Sequence, residues 1–184
     1  MFKMFRRSTL DPLSVSMVGV KLADRVLVVG CRDPLLIASL AIKAGLTGRT
    51  CAVDRVEGLV REAERVALAE GALVEFKAEE IVPLPYDSDS FDVVVLRDVV
   101  RGLDAPNPHA LAAECLRALR KGGRCMVIDG LGPVKSWMWE RTTPPNREAE
   151  KVMTDAMTSA GFVAVRTLAE RNGVLFLEAV KRAA

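Results

Sequence analysis

Two residues in the first third of the chain have the types and the spacing of a nucleoside-binding site. Gly30 follows the apolar run 26–29, and Asp54 follows the apolar run 50–53. An acid roughly 20 residues beyond a glycine turn can accept hydrogen bonds from the two hydroxyl groups of a ribose, and Asp54 lies 24 positions after Gly30. The pair therefore predicts a ligand that contains adenosine.

The residues that would start the next helix limit this ligand further. Asp33 followed by Pro34 is typical of a helix N-cap and the first helical residue. Proline at that position lacks an N–H group that a pyrophosphate would bind, and a capping carboxylate would repel phosphate. NAD and FAD are therefore disfavoured.

The elements that would position these residues are strands alternating with helices. Amphipathic spacing predicts helices over 56–70 and 109–119, and the second is expected to stop at Gly122 and Gly123. Short apolar runs are typical of parallel strands that are buried on both faces. Five such runs lie at 26–29, 50–53, 73–77, 91–96 and 125–128.

The last third of the chain changes this alternation. A helix is predicted over 147–159, ending at Gly161, and two extended runs follow at 162–168 and 174–180. The connection 169–173 is so short that these runs must form a hairpin, with the last strand antiparallel to its neighbour. The expected fold is α/β, a Rossmann-like, doubly wound sheet of about seven strands, mostly parallel, with an antiparallel C-terminal hairpin.

The composition suits a single cytoplasmic domain over residues 1–184. The formal net charge is only +2, and basic residues alternate with acids, which argues against a nucleic-acid partner. The four cysteines form no Cys-x-x-Cys pair and have no nearby histidine, so they are expected to be buried free thiols and no metal site is expected. No apolar stretch reaches the roughly 18 residues of a membrane span.

Five segments follow the predicted strands and helices in order: VLVVGC, AVD, LPYDSDSFDVVVLRDVV, LRALRKGGRCMVID and SAGFVAVRTL. Their order and spacing resemble those of class I S-adenosylmethionine-dependent methyltransferases, over residues 24–181. The first segment is similar to the glycine motif of that family, and the second is similar to the acid after its second strand. Small methyltransferases that act on quinones and other small molecules are the most similar kind.

The resemblance implies S-adenosylmethionine as the cofactor and a small methyl acceptor that is lipophilic or aromatic. Asp54 would bind the ribose, or it would cap the segment 54–58. Arg32 would pair with the carboxylate at the amino-acid end of the cofactor, or it would face solvent and shield an empty pocket. The residues carried over as cofactor-binding are Gly30, Cys31, Arg32, Asp54, Arg55, Ala78, Glu79 and Arg97.

Four positions depart from the family pattern. Val28 stands in place of an acid, and Lys77 stands in place of the acid after the third strand. Arg32 and Pro34 replace glycines, which let a ligand approach the backbone closely. An alternative is therefore a catalytically inactive, methyltransferase-like binding or regulatory module. A nicotinamide oxidoreductase is disfavoured, because the helix start suits pyrophosphate badly.

Two residues are candidate bases that would activate a methyl acceptor. Asp98 lies beyond the fourth strand, next to Arg97, where the cofactor cleft is expected. It could instead cap the following segment or pair with Arg101. His109 is the only histidine, a residue type suited to proton transfer near neutral pH, or it could simply begin a surface helix.

The segment 130–147 is expected to be an irregular lid on the substrate side. Its residues Trp137, Met138 and Trp139 offer a large apolar surface that suits a lipophilic or aromatic acceptor. The same surface could serve as a dimer contact or as core packing. The chain is expected to be a monomer or a homodimer.

Residues 1–23 are expected to be an N-terminal extension of the domain. Its first residues are basic and apolar but lack the apolar core of a signal peptide. They would be a frayed terminus, or they would make a weak contact with a membrane surface through Phe2, Met4 and Phe5.

Overall fold

Strands and helices alternate along the chain as the apolar pattern predicts. The computed structural model describes residues 10–100, 105–130, 147–171 and 173–183. The helices are α1 (Pro12–Val18), α2 (Pro34–Ala44), α3 (Glu57–Ala69), α4 (Pro108–Ala118) and α5 (Arg147–Ala160). The strands are β1 (Arg25–Val29), β2 (Arg49–Asp54), β3 (Glu75–Ala78), β4 (Phe91–Arg97), β5 (Leu119–Gly130), β6 (Val163–Arg171) and β7 (Val174–Val180).

The strands form one sheet in the order β3-β2-β1-β4-β5-β7-β6. Strands β1 to β5 pair in parallel, and β7 runs antiparallel to both β5 and β6. The predicted fold class and the C-terminal hairpin are confirmed. The strand order reverses between β1 and β4, and open α/β sheets bind their ligands in the crevice at such a point, beyond the carboxyl ends of the strands.

The central strand β1 is buried on both faces, which is why its sequence is continuously apolar. Val26 and Val28 belong to the core that packs against α1, α2 and α3. Leu27 and Val29 belong to the core on the opposite face, which includes residues of α4 and α5. None of these four side chains is exposed to solvent. Val28, where the family pattern has an acid, is thus part of the apolar core beneath α2.

Helix α1 is a part of the N-terminal extension that the apolar pattern did not predict. It has only seven residues, too few for a periodic pattern to stand out. Asp11 caps its start by accepting hydrogen bonds from the Leu13 and Ser14 N–H groups. At its other end the Arg124 guanidinium donates to the Val18 carbonyl at 2.7 Å, so a residue of β5 ties α1 to the sheet.

The predicted start of the third strand and the predicted bounds of the elements on both sides of Gly122 were wrong. The third strand begins at Glu75 rather than at residue 73, and the Leu73 side chain is 73% exposed. Helix α4 ends at Ala118, and Gly122 and Gly123 lie within β5 instead of stopping the helix. Strand β5 begins at Leu119 rather than at residue 125, because Leu119 pairs with Phe91 of β4. The register then shifts between Phe91 and Val93. In the part of the chain that the structure describes, no helix combines the length and apolar character that crossing a membrane requires.

Candidate functional site

A glycine turn joins the ends of three strands at the carboxyl edge of the sheet. Gly30 has a φ of +99°, and its N–H group donates to the Val53 carbonyl at 2.8 Å. A Cβ atom at this position would lie 2.2 Å from the Arg97 carbonyl oxygen and 2.7 Å from a methyl group of Val99. Only glycine therefore permits β1, β2 and β4 to approach in this way.

Asp54 is a buried carboxylate that holds this turn. Its side chain is 7% exposed, and Oδ2 accepts a hydrogen bond from the Cys31 N–H at 2.8 Å. Oδ1 accepts one from the Val56 N–H at 2.9 Å. A carboxylate offers about four acceptor positions, so two remain for a ligand. Val56 is the N-cap of α3, and no side chain makes a capping hydrogen bond there. Asp54 therefore stabilises the turn before α3 instead of capping the helix.

The Cys31 thiol next to this carboxylate is buried and unreactive. Its exposed fraction is 1%. Burial, with a smaller contribution from the Asp54 charge, raises the pKa of Cys31 to about 12. Because the thiolate is the nucleophilic form, Cys31 contributes its backbone to the site and not its sulfur.

The loop beyond the turn leads into α2 as predicted. Asp33 is the N-cap and accepts a hydrogen bond from the Leu36 N–H at 3.2 Å, while Pro34 is the first helical residue. The helix N-terminus therefore carries its own carboxylate and lacks one N–H group, which is unfavourable for pyrophosphate. The Arg32 side chain is exposed.

Arg97 connects the loop after β1 with the end of β4. Its Nε lies 3.3 Å from Asp33 Oδ2, and its Nη1 lies 2.7 Å from Asp98 Oδ2. Nη1 also donates to the Ile128 carbonyl at 3.4 Å. The Arg97 and Asp33 side chains are largely buried. The structure thus brings together two predicted site residues, Arg97 and Asp98, with the capping residue of α2.

Asp98 has an unusual backbone conformation at this junction. Its φ is +54°, a region that non-glycine residues adopt mainly where the surroundings enforce it. Its N–H group donates to the Ile128 carbonyl at 3.2 Å, and its Oδ1 accepts from the Gly130 N–H at 3.4 Å. The proposed alternative partner, Arg101, lies outside the described residues. Asp98 as a base stays a prediction.

Asp129 is a buried acid at the same edge that the sequence reasoning missed. Its side chain is 3% exposed, and Oδ2 accepts from the Val100 N–H at 3.2 Å. The signal that could have found it is the one that marks Asp54, an acid directly after a buried apolar strand. This contact holds the backbone just beyond the end of β4.

The remaining predicted cofactor residues lie at or beside the end of β3. Ala78 pairs with Asp54 in the register of β2 and β3, and Glu79 and Arg55 are exposed. Lys77, at the position of the missing family acid, donates to the Pro85 carbonyl at 3.0 Å and lies 4.8 Å from the centre of the Tyr86 ring. Lys77 is therefore engaged with the segment between β3 and β4.

His109, the second candidate base, is exposed on the first turn of α4. Its backbone N–H donates to Asn107 Oδ1 at 2.9 Å. Its catalytic role stays a prediction.

Among residues 10–100, 105–130, 147–171 and 173–183, no group of acids, histidines and cysteines could hold a metal ion. Outside the described residues lie Phe2, Met4, Phe5, Trp137, Met138 and Trp139.

Comparison with known sequences identifies relatives over the part of the chain that carries this site. A profile described as a methyltransferase domain matches residues 27–127, more than half of the chain. The ubiquinone biosynthesis O-methyltransferase of Idiomarina loihiensis is 32% identical over 116 residues, which are 62% of this chain and 45% of that protein. The chain thus spans less than half the length of this curated relative.

Solved structures share the fold at lower identity. A methyltransferase from Aquifex aeolicus, described as S-adenosylmethionine-dependent, has a TM-score of 0.74 and 21% identity, covering 92% of this chain and 93% of that chain. An O-methyltransferase from Thermotoga maritima, described in the same way, has a TM-score of 0.74 and 18% identity, covering 98% and 69%. Identities this low establish the fold alone.

The matched family profile runs from β1 into β5 and so includes both strand ends that carry Gly30 and Asp54. It also supports S-adenosylmethionine as the cofactor. The chain belongs to the methyltransferase domain family, which confirms its resemblance to class I S-adenosylmethionine-dependent methyltransferases.

Proposed function

We propose that this chain transfers a methyl group from S-adenosylmethionine to a small acceptor. The observation that supports this most directly is the buried Asp54 carboxylate beside the Gly30 turn, at the edge of a methyltransferase-family sheet. Its two remaining acceptor positions match the two hydroxyl groups of a ribose. Ala78 pairs with Asp54 in the register of β2 and β3, and Glu79 follows it directly; both are proposed to line the adenosine end of the site.

The protein has little bond chemistry to perform in such a reaction. When bound, S-adenosylmethionine supplies a methyl group on a sulfonium that is already activated for transfer. The residues of this chain would hold the acceptor in line and exclude water. Asp98, whose carboxylate is held by Arg97 and the Gly130 N–H, is the proposed base for the acceptor proton, with His109 as the second candidate.

The proposed acceptor is a small aromatic or quinone-like molecule that is methylated on a hydroxyl oxygen. Support comes from the curated relative, whose name describes O-methylation in ubiquinone biosynthesis. The apolar residues Trp137, Met138 and Trp139 are proposed to contact the acceptor from the lid segment.

A second candidate function is a methyltransferase-like module that binds a partner without catalysis. It is supported by the core position of Val28 and by Arg32 and Pro34 in the glycine loop. Lys77 also favours it, because this residue is engaged with Pro85 and Tyr86 at the position of a family acid.

Isothermal titration calorimetry with S-adenosylhomocysteine distinguishes the methyltransferase from the non-catalytic binding module. The purified protein is stripped of ligand, and NAD is titrated in parallel as a control. Saturable micromolar binding of S-adenosylhomocysteine alone is expected. A panel of phenolic and quinol acceptors with methyl-labelled S-adenosylmethionine should then give a labelled product. The absence of binding at millimolar ligand would contradict the enzyme proposal and favour the module.

A further inference from the structure

The crevice between β1 and β4 is crossed by an ion pair. These two strands are neighbours at the point where the strand order reverses, which is where α/β sheets bind ligands. Asp33 belongs to the loop after β1, and Arg97 ends β4, so their contact of 3.3 Å spans the crevice. Both side chains are well shielded, with 14% and 17% exposure. Ala78 and Glu79, at the end of β3, are proposed for the adenosine end of the ligand, and Asp54, at the end of β2, for the ribose. The strand order β3-β2-β1-β4 then places the pair where the amino-acid end of that ligand would lie.

The hydrogen bonds of Arg97 leave one nitrogen available to a ligand. Nε donates to Asp33, Nη1 donates to the Ile128 carbonyl, and Nη1 also forms an ion pair with Asp98 Oδ2 at 2.7 Å. Within the part of the chain that the structure describes, Nη2 has no hydrogen-bond partner. A guanidinium presents five N–H donors in a rigid, planar fork, and this fork suits a carboxylate.

The charges around this nitrogen match an amino acid in its zwitterionic form. Arg97 offers a cation, and Asp33, which pairs with it, offers a carboxylate. The ligand carboxylate would thus meet the guanidinium, and the ligand ammonium would meet Asp33. Arg32, by contrast, is an exposed side chain that would have to lose conformational freedom on binding. The three contacts that hold Arg97 have already removed that freedom.

Resting on the proposed function, we infer that Arg97, and not Arg32, binds the carboxylate at the amino-acid end of the cofactor. Arg97 thereby makes the site specific for adenosine ligands that carry an amino acid. This contact would compensate for the backbone N–H and the close approach that Pro34 and Arg32 forfeit in the glycine loop.

The test compares two ligands that share adenosine and differ in the amino acid. Isothermal titration calorimetry measures the dissociation constants of S-adenosylhomocysteine and of 5′-methylthioadenosine, which lacks the amino-acid end. Wild type, Arg97→Gln, Arg97→Lys and Arg32→Gln are compared, with Arg61→Gln as the control, because Arg61 is exposed on α3 and pairs with Glu57 of the same helix. Arg97→Gln should weaken S-adenosylhomocysteine binding about 10- to 100-fold and change 5′-methylthioadenosine binding less than about twofold. Arg97→Lys should restore part of the loss, because it retains a point charge.

The outcomes separate this inference from the proposed function. If wild type fails to bind S-adenosylhomocysteine, both are overturned. If wild type binds and Arg97→Gln keeps the ratio of the two dissociation constants, only the inference is overturned. A ratio that changes in Arg32→Gln instead would transfer the contact to Arg32. If both Arg97 variants lose affinity for the two ligands by the same factor, Arg97 supports the fold of the cleft. Its role in specificity would then be overturned.

Discussion

The Asp54 carboxylate accepts a hydrogen bond from the Cys31 N–H at 2.8 Å. The side chain at the end of β2 therefore fixes the backbone turn after β1, 23 residues earlier in the chain. A residue proposed to bind the ribose is thus also part of the framework of its own site. The effect of an Asp54 substitution must therefore be measured both on ligand affinity and on the free energy of unfolding.

Asp54→Ala should weaken the binding of S-adenosylhomocysteine by about 1.5 to 3 kcal/mol, the usual contribution of hydrogen bonds to a charged group. It should also lower the free energy of unfolding by about 1 to 3 kcal/mol, because the Cys31 and Val56 N–H groups lose their acceptor. Calorimetry and urea denaturation measure the two effects. Asp24→Asn, before β1 at the other edge of the sheet, is the control. Unchanged affinity in Asp54→Ala would remove Asp54 from the ligand site.

Gly30→Ala should destabilise the protein by more than about 2 kcal/mol, since positive φ and a steric clash both oppose a Cβ atom. That atom would lie 2.2 Å from the Arg97 carbonyl oxygen. Gly58→Ala is the matched control, because nothing lies within 4 Å of its added Cβ atom in the first turn of α3. The control should stabilise the protein by about 0.5 to 1 kcal/mol. Urea denaturation of the two variants tests the contrast, and equal stabilities would refute it.

Glu114 should make stability depend on pH. Its Oε2 accepts from the Leu84 N–H at 2.7 Å and lies 2.7 Å from Arg117 Nη2. The Arg117 hydrogen bond, more than any other contact, lowers the pKa of Glu114. A folded pKa below the unfolded value of about 4.3 means that the stabilisation is present above that pH. It is lost as the pH falls through the folded pKa.

Glu114→Gln should therefore lower the free energy of unfolding at pH 7 by about 1.5 to 3 kcal/mol, and the difference from wild type should shrink below about pH 4. Chemical denaturation at pH 3, 4, 5 and 7 measures this trend. Glu62→Gln, in an exposed pair with Arg65 on α3, should change stability little at any of these pH values. A Glu114→Gln difference that persists unchanged at acid pH would contradict the assignment.

The cysteines should be unreactive in the folded protein. All four are free and buried, and burial is the main cause that raises the pKa of Cys31 to about 12 and that of Cys51 to about 11. Because only the thiolate attacks, a disulfide reagent at pH 8 should label none of them within minutes. In denaturant it should label four thiols. Rapid labelling of the native protein would show that the turn after β1, or a core beneath it, opens readily.

Local sequence patterns determined most of the secondary structure. The continuous apolar run of β1 predicted a strand buried on both faces, and Asp33 with Pro34 predicted the start of α2. The short connection before Gly173 likewise predicted the C-terminal hairpin. These signals lie within a few residues of the element that they predict, so they can be read without knowing its neighbours.

The departures occur where contacts distant in sequence outweigh local preference. Helix α1 has seven residues, yet its end is held by Arg124, a residue 106 positions away. Gly122 and Gly123 resemble a helix stop, but pairing with β4 and β7 draws the surrounding segment into β5. In both cases the tertiary contacts supply the stability that the local pattern lacks.

The pattern of strands and crossovers was sufficient to place Gly30 and Asp54 at the carboxyl edge of a parallel sheet, because all parallel strands end at that edge. Which charged groups meet there depends on tertiary contacts. Arg97 pairs with Asp33 across 64 positions of chain, and Asp129 accepts from Val100. Such contacts depend on the order of the strands and on the register between them, whereas a pattern of apolar and polar residues records only which face of each element is buried.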